Sequence, residues 1–431
     1  MLGVSGLRLL AFFAGEIGSA TPSRSLVALD DGSPWLELQG GGALHKLDKL
    51  LAALPEGEPF GCGYALILPY DFGHWCDPAI EEDGRSTSLI LKAKRITSCY
   101  VTDEVHNRSW IAVSPEADPA HVKYLVRALE QAQTVDLATD LETPFQMPAD
   151  WAVRHGEFTR DEYMKRVADI LADISRGDYY ECNFTQRFQM ESLAKPRVVA
   201  NRLLHKAPRH AAWVDTGDEQ ILSASPESFL HIADGKITTG PIKGSSRRNA
   251  DPHIDGQLRA ALEQSTKDRA EHTMVVDMAR NDLGRVCRTG SVCVKQPYTI
   301  EAHQHLYHMV SQVEGDLEST AALSAILHAT FPPASVTGTP KIAATHAIRK
   351  YEKSPRGVYT GSLGIAGRGW VDLNVAIRTL HVRSSQPEMY SYEFGAGGAI
   401  VADSSPQAEY EECLLKAHSL ADAVFRSAVD T

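Results

Sequence analysis

Short runs of alternating apolar and polar residues predict strands that are clustered along the chain. Residues 229–232 and 236–239 form two such runs around Asp234-Gly235, which predicts a β-hairpin with a tight turn. Further strands are predicted at 180–190, 211–214 and 221–224. Because strands and helices do not alternate strictly, the pattern favours an α+β fold with antiparallel sheets.

Helical periodicity is strongest after residue 158. Between Thr159 and Gly177, apolar residues recur on one helix face, and Gly177 can end the helix. A last helix is predicted from Pro406 to Phe425, with Ser405 as its N-cap. Other helices are predicted over 254–264, 266–283 and 340–351.

The sequence divides into an N-terminal region, 1–145, that packs onto a core spanning 150–425. The acidic, proline-containing segment 136–150 is the predicted crossing between them. The apolar run from Leu7 to Ala14 lacks the basic flank and the length of a secretion signal or a membrane span, which favours a buried strand or helix. We therefore expect a cytoplasmic protein that does not bind membranes.

Composition narrows the possible functions. The chain has 43 Lys and Arg residues against 55 Asp and Glu residues, a net charge of −12 with His neutral. This balance argues against nucleic acid as the main partner, because phosphate binding needs clustered basic residues. The seven cysteines lack the spacing of a zinc knuckle or of a disulfide framework, so a reduced compartment is the simplest interpretation.

Two predicted helices each carry two carboxylates spaced three residues apart. They are Asp268 and Glu271 in one helix and Glu409 and Glu412 in the last, where Lys416 follows four residues later. Each pair lies on one helix face, and carboxylate oxygens suit Mg²⁺. The alternative is that both pairs are solvated surface acids, and the spacing alone does not say that the helices meet.

Two residues in turns are candidates for acid–base or covalent chemistry. Lys243 lies between Pro241 and Gly244, where desolvation would make its free amine nucleophilic. Glu227 follows Pro226, and partial burial would let it keep a proton and act as a general acid. The ordinary alternatives are a solvated lysine and a turn carboxylate.

Anion-binding candidates lie near the C-terminus. Glycines within 394–399 let backbone N–H groups approach an anion, although Ile400 breaks the dinucleotide fingerprint. Arg378 ends a strand-like run and can bind a carboxylate with two hydrogen bonds. The histidines of 303–308 invite a zinc interpretation, but on a strand His303 and His308 lie on opposite faces, so a core or substrate-binding role is favoured.

Taken together and in order, a series of segments resembles the chorismate-utilising enzymes. The segments are GDYYECNFTQRF (177–188), SASPESFL (223–230), TGPIKGSSRR (239–248), KDRAEHTMVVDMARNDLGRV (267–286), HLYHMVSQVEG (305–315), FPPASVTGTPK (331–341), YTGSLG (359–364), DLNVAIRTL (372–380) and GAGGAIVADSSPQAEYEECLLKA (395–417). The resemblance covers about residues 155–425. It implies an α+β fold of the anthranilate synthase component I type, with two stacked, mainly antiparallel sheets flanked by helices and the active site in a cleft.

The resemblance also implies the roles of individual residues. Glu271 and Glu412 would bind Mg²⁺, with Asp268 and Glu409 as supporting acids. Because chorismate is a dianion, an acidic protein needs such a cation and local basic groups to hold it. The residues implied to hold the substrate are Arg378, Tyr359, His308, Thr337, Lys416 and the backbone at Gly395, Gly397 and Gly398.

Within the family, Lys243 indicates the branch. PIKG at 241–244 resembles the aminodeoxychorismate branch, whereas anthranilate synthases usually carry Ala in place of the lysine. The implied mechanism has Lys243 attack ring C2 while Glu227 protonates the departing C4 hydroxyl; ammonia then adds at C4 and expels the lysine. The ammonia would come from a separate glutamine amidotransferase subunit, and the product would serve para-aminobenzoate and folate synthesis.

Three alternatives remain open: an anthranilate synthase component I, a non-catalytic chorismate-binding paralogue, and a histidine-based zinc protein. Among the positions that depart from the family pattern, two bear on the choice of branch. Glu181 stands where the amine-adding branch more often has Gln and the water-adding branch has Lys, so it does not support isochorismate or salicylate chemistry. His272 stands where Asn is more usual, and its pairing with Glu271 resembles the salicylate branch.

Overall fold

Antiparallel strand pairing organises the chain into two large sheets. The computed structural model describes residues 9–14, 24–80, 90–103, 105–132, 150–204, 209–303, 306–318 and 321–425. The strands are β1 (Leu9–Ala14), β2 (Arg24–Leu29), β3 (Leu36–Leu38), β4 (Gly63–Leu68), β5 (Leu91–Ile96), β6 (Ser98–Asp103), β7 (Arg108–Val113), β8 (Glu181–Ser192), β9 (Ala212–Asp215), β10 (Glu219–Ser223), β11 (Ser228–Ala233), β12 (Lys236–Gly240), β13 (Ile242–Arg247), β14 (Cys293–Ala302), β15 (Leu306–Asp316), β16 (Gly338–Thr339), β17 (Ser362–Gly367), β18 (Trp370–Asn374), β19 (Thr379–Gln386) and β20 (Met389–Ile400).

Helices connect and cover these strands. They are α1 (Ala43–Ala52), α2 (Gly73–Cys76), α3 (Pro119–Ala132), α4 (Trp151–His155), α5 (Arg160–Arg176), α6 (Pro196–Leu204), α7 (Pro252–Gln264), α8 (Thr266–Gly284), α9 (Leu323–Thr330), α10 (Lys341–Tyr351) and α11 (Pro406–Phe425). Every described helix is too short or too polar to span a lipid bilayer.

The N-terminal strands complete both sheets. The first sheet has the order β16-β8-β20-β19-β10-β9-β1-β2-β6-β7, and the second has the order β13-β15-β12-β11-β18-β17-β4-β5-β3, with β14 paired to β15. The predicted crossing at 136–150 lies outside the described residues except for Asp150. The strand predicted near the N-terminus is β1, which pairs with β2 and β9 inside the first sheet.

The sheets stack face to face, and helices cover their outer faces. One buried cluster joins Leu10 and Val214 of the first sheet to Ile67 and Ile365 of the second. A second cluster packs the first sheet against α3–α6, α10 and α11, and a third packs the second sheet against α1, α8 and α9. This confirms the predicted α+β architecture of two stacked antiparallel sheets flanked by helices.

Local signals in the sequence set several element boundaries. Thr159 and Glu162 form a capping box at the start of α5, and Gly177 ends this helix in the left-handed conformation with φ 86°. Asp234 and Gly235 have φ values of 51° and 73°, as the tight turn of the β11–β12 hairpin requires. Helix α11 begins and ends at the predicted residues.

A buried ion pair ties β8 to the segments before β16 and β17. The side chains of Arg356 and Glu352 are 2% and 5% exposed and lie 2.7 Å apart. Arg356 also donates to the carbonyl oxygens of Asn183 and Val336, both at 2.7 Å. Glu352 accepts hydrogen bonds from the backbone N–H and the hydroxyl of Thr185 at 2.9 and 2.8 Å. These bonds fix the position of β8 in the first sheet.

We expect Arg356→Met to lower the free energy of unfolding by about 3–5 kcal/mol, because Glu352 would remain buried without its partner charge. Urea denaturation measures the loss. Arg280→Met is the control: it breaks a pair with Asp277 whose side chains are 51% and 74% exposed, and it should cost less than about 1 kcal/mol. Equal losses in the two variants would contradict the role given to the buried pair.

Candidate active site

Strand β8 presents polar groups to the space between the two sheets. Cys182 and Phe184 belong to the apolar cluster beneath α5 and α11. Glu181 and Asn183 alternate with them and contact Lys243 of β13, in the other sheet. The Lys243 ammonium donates to Glu181 Oε1 at 2.7 Å and to Asn183 Oδ1 at 3.4 Å. An ion pair therefore crosses from one sheet to the other.

This ion pair lies in the closed part of the cleft. The Lys243 side chain is 10% exposed, and the Glu181 side chain is fully buried. Gly244, which follows the lysine, has φ 82°, and a Cβ there would lie 3.1 Å from Asp268 Oδ1. Glycine at this position therefore lets the backbone beside Lys243 approach the carboxylate of Asp268.

Glu227 lies on the turn before β11 and has the burial that the general-acid hypothesis requires. Burial raises the pKa of Glu227 to about 7, although a hydrogen bond from Ser335 and the charge of Lys243 oppose the rise. A carboxyl group with this pKa is partly protonated near neutral pH and can donate a proton. A potential acid and a potential nucleophile thus lie within electrostatic range of each other.

The carboxylates of α8 and α11 gather at one end of the cleft around two lysines. Lys267 Nζ lies 3.8 Å from Glu271 Oε1, and the charge of Lys267 also acts on Glu409 and Glu412. The charge of Lys243 acts on Glu271 and Glu412. Carboxylates of both predicted pairs therefore lie within electrostatic range of the same lysines, which their spacing in the sequence could not establish.

The carboxylate pair of α11 packs against Gly398. A Cβ on Gly398 would lie 3.0 Å from Glu409 Oε2 and 3.7 Å from Glu412 Oε1. Glu409 accepts a hydrogen bond from Ser404 at 2.7 Å, and Glu412 pairs with Lys416 at 2.7 Å. Burial raises the pKa of Glu409, and the charge of Glu412 adds to the rise. The side chain of Glu412 is 51% exposed, so this end of the cleft is open to solvent.

The donor set at this end fits Mg²⁺ better than a metal held entirely by protein. The described residues contain no group of three or more His, Cys, Asp or Glu side chains that could hold a metal ion. Mg²⁺ needs only one or two carboxylates, because water and substrate oxygens complete its octahedron. Burial raises the pKa of Glu271 as well as that of Glu409, and in both this effect outweighs the opposing charges of the nearby lysines.

Arg378, His308 and Lys416 form a group suited to an anionic ligand. Burial, together with the charges of Arg378 and Lys416, holds the pKa of His308 well below its usual range, so the imidazole is neutral. Arg378 has φ 51° and lies immediately before β19. Lys416 donates to the carbonyl oxygen of Gly397 at 3.0 Å. Two cations and a neutral imidazole can bind a carboxylate.

Close packing explains the glycines of β20. A Cβ on Gly395 would lie 2.2 Å from the ring of Tyr359, and one on Gly397 would lie 2.1 Å from the carbonyl oxygen of Phe184. These glycines belong to a strand paired with β8. Thr337 is fully buried, and its hydroxyl donates to Pro333 O at 2.8 Å. Contact of Gly395, Gly397, Tyr359 and Thr337 with a substrate remains a prediction.

His272 and the histidines predicted at 303–308 make the following contacts. His272 is fully buried and bonds Ser311 at 2.7 Å, and burial lowers its pKa to about 4. The rings of His303 and His308 lie 5.1 Å apart, whereas His305 falls outside the described residues.

Sequence reasoning gave no role to Asn183 or Lys267, and it noted Glu181 only as a departure from the family pattern. The signal available for Asn183 and Glu181 was the alternation along β8, which places both on the face opposite Cys182. Nothing in the sequence near Lys267 indicates that its charge acts on a second helix.

Comparison with known proteins identifies the family. The family model described as chorismate binding enzyme matches residues 15–422. Aminodeoxychorismate synthase component 1 of Salmonella typhimurium is 32% identical over 416 residues, which cover 94% of this chain and 85% of that protein. Anthranilate synthase component 1 1 of Haloarcula marismortui is 34% identical over 362 residues, which cover 83% of this chain and 69% of that protein.

A solved structure agrees with the sequence relatives. Anthranilate synthase component I from Streptococcus pneumoniae TIGR4 superposes with a TM-score of 0.73 and 26% identity, over 97% of this chain and 93% of that one. The family match spans nearly the whole chain, including the strands that bring Glu181 and Lys243 together. This chain therefore belongs to the chorismate binding enzyme family.

Proposed function

We propose that this chain is an aminodeoxychorismate synthase component I, which acts in the cytoplasm and converts chorismate and ammonia to 4-amino-4-deoxychorismate for para-aminobenzoate and folate synthesis. The observation that carries the proposal is the placement of Lys243. Its side chain is 10% exposed, and its amine bonds Glu181 at 2.7 Å and acts electrostatically on Glu227. A glutamine amidotransferase subunit would supply the ammonia, in keeping with the component 1 name of the Salmonella relative.

The reaction would use Lys243 and Glu227 in two steps. The Lys243 amine forms a bond to ring C2, the ring double bonds shift, and the C4–O bond breaks while Glu227 gives its proton to the departing hydroxyl, which leaves as water. Ammonia then bonds to C4, the double bonds shift back, and the C2–N bond to Lys243 breaks. Covalent catalysis splits one difficult displacement into two, and the lysine keeps ammonia away from C2.

The open end of the cleft would hold the substrate dianion. Arg378 and Lys416 would bind a carboxylate beside the neutral His308. Glu271 and Glu412 would hold Mg²⁺, with Asp268 and Glu409 supporting them; when bound, the ion would stabilise negative charge on a substrate carboxylate as a Lewis acid. Tyr359, Thr337 and the backbone of Gly395, Gly397 and Gly398 would complete the substrate-binding surface.

The second candidate is anthranilate synthase component I. It is favoured by the Haloarcula relative, at 34% identity, and by the Streptococcus structure, at a TM-score of 0.73. In that reaction ammonia adds at C2, the position that Lys243 would occupy. The lysine therefore supports the first candidate, and the identity of the product separates the two.

We expect Lys243→Ala to release no 4-amino-4-deoxychorismate from chorismate, Mg²⁺ and ammonium, because the covalent step is lost. Liquid chromatography with mass spectrometry identifies the product. The control is Lys236→Ala, which should form as much product as the wild type. Lys236 lies in the β11–β12 hairpin, and its side chain is 60% exposed. Anthranilate from the wild type, or full 4-amino product from Lys243→Ala, would contradict the proposal.

We expect the rate of chorismate consumption to fall as the pH rises above about 7, because Glu227, with its pKa raised to about 7, loses the proton that it must donate. Glu227→Gln should be about 100-fold slower and should lack this descending limb. Free ammonia is held constant across the series. His308 does not contribute, since its pKa lies well below the usual range. A profile that the substitution leaves unchanged would exclude Glu227 as the acid.

We expect Glu412→Ala to raise the Mg²⁺ concentration needed for half-maximal chorismate consumption by at least about tenfold, because one carboxylate donor is removed. Glu411→Ala is the matched control, since Glu411 is the exposed neighbour on the same helix. Titration of the reaction with MgCl₂ measures both variants. Equal Mg²⁺ requirements for Glu412→Ala and Glu411→Ala would show that Glu412 does not bind the ion.

A further inference from the structure

Glu181 makes the shortest contact with the Lys243 amine, yet it has no role in the two proposed reaction steps. We propose that Glu181 is the base that takes a proton from the Lys243 ammonium, so that the lysine attacks C2 as a free amine. This inference rests on the proposed function, because it concerns the lysine as a nucleophile. It assigns a catalytic role to a position at which the chain departs from its family pattern.

The hydrogen bonds around the lysine leave one group able to accept its proton. Within the described part of the chain, Lys243 Nζ donates only to Glu181 Oε1, at 2.7 Å, and to Asn183 Oδ1, at 3.4 Å. An amide oxygen is too weak a base to take the proton. Asn183 also donates to Glu181 Oε1 at 3.1 Å, so it fixes the carboxylate and the amine relative to each other.

The second oxygen of Glu181 lacks the hydrogen bonds that would stabilise a carboxylate. Glu181 Oε2 is buried and has no hydrogen-bond partner among the described residues. Glu181 is fully buried, so bulk water does not reach its carboxylate. A buried carboxylate with one unpartnered oxygen is poorly stabilised, and transfer of the Lys243 proton to Oε1 removes its charge.

Binding of the substrate favours proton transfer within the pair. The Lys243 side chain is 10% exposed, and a ligand over the cleft would remove the water that still reaches it. Without water, the charged forms of Lys243 and Glu181 are poorly stabilised. Transfer of one proton from the ammonium to the carboxylate leaves a neutral amine and a neutral carboxylic acid. The negative charges of Glu271 and Glu412 also act on Lys243 and favour its ammonium form, whereas Glu227 holds its proton until the C4–O bond breaks. A base in direct contact with the lysine is therefore needed.

The proton balances over the complete cycle. The ammonium of Lys243 gives one proton to the Glu181 carboxylate, and the neutral amine bonds to C2, where its nitrogen becomes a secondary ammonium. When ammonia bonds to C4, the C2–N bond breaks and Lys243 leaves as a neutral amine. It then takes the proton back from Glu181. The ammonium formed at C4 returns a proton to Glu227, which had given its own to the departing hydroxyl.

The test compares the wild type with Glu181→Gln, which keeps the size and a hydrogen-bond acceptor but cannot take a proton. Rapid-quench measurement of chorismate loss without ammonium follows the formation of the Lys243 bond alone. We expect the variant to be about 100-fold slower at neutral pH, the usual scale of general-base catalysis, with an unchanged KM for chorismate. The ratio of wild-type to variant rates should shrink as the pH rises, because solvent hydroxide then removes the proton.

Two further variants separate a base from a structural contact. Glu181→Asp keeps a carboxylate and should recover part of the rate. Asp282→Asn breaks an equally short lysine pair, 2.7 Å from Lys341 with side chains 10% and 13% exposed, and should react like the wild type. A Glu181→Gln rate equal to the wild type, or a loss that stays constant with pH, overturns the proposal. If the wild type itself forms no 4-amino product with ammonium, the proposed function fails, whatever the behaviour of Glu181→Gln.

Discussion

The contact between Lys243 and Glu181 is the constraint on which the rest of the site depends. It joins a strand of one sheet to a strand of the other. The position of the amine therefore depends on how the two sheets stack. Strand β13 ends the second sheet, and β8 lies next to the end of the first. The buried pair of Arg356 and Glu352 fixes β8 by hydrogen bonds to the backbone of Asn183 and Thr185. Stability of the fold and placement of the Lys243 amine are therefore coupled.

The cleft is divided by charge and by access to water. Its closed end holds the Lys243 amine, the Glu181 carboxylate that accepts a hydrogen bond from this amine, and the buried side chain of Glu227. Its open end holds the carboxylates of α8 and α11 together with Lys267 and Lys416, whose side chains are 59% and 50% exposed. A chain of net charge −12 must bind a dianion by local cations, and the lysines, Arg378 and a bound metal would provide them.

Local features could be predicted from the sequence, whereas contacts between distant segments could not. The caps of α5, the Asp234-Gly235 turn and the limits of α11 follow from chemistry within a few residues. The spacing of Glu409 and Glu412 gave their common face but not their approach to the side chains of α8. Glu181 and Lys243 are 62 residues apart, and only the stacking of the sheets brings them together. Close packing against Tyr359 excludes a Cβ at Gly395, which the sequence did not indicate, and contact of this backbone with a substrate remains a prediction.

The proposed reaction depends most on a covalent bond between Lys243 and the substrate ring. The most direct measurement is mass spectrometry of the protein after incubation with chorismate and Mg²⁺ in the absence of ammonium, followed by proteolysis to locate any adduct. We expect a mass increase equal to chorismate less one water, confined to the peptide that contains Lys243. An unmodified Lys243 peptide in a preparation that consumes chorismate would contradict it.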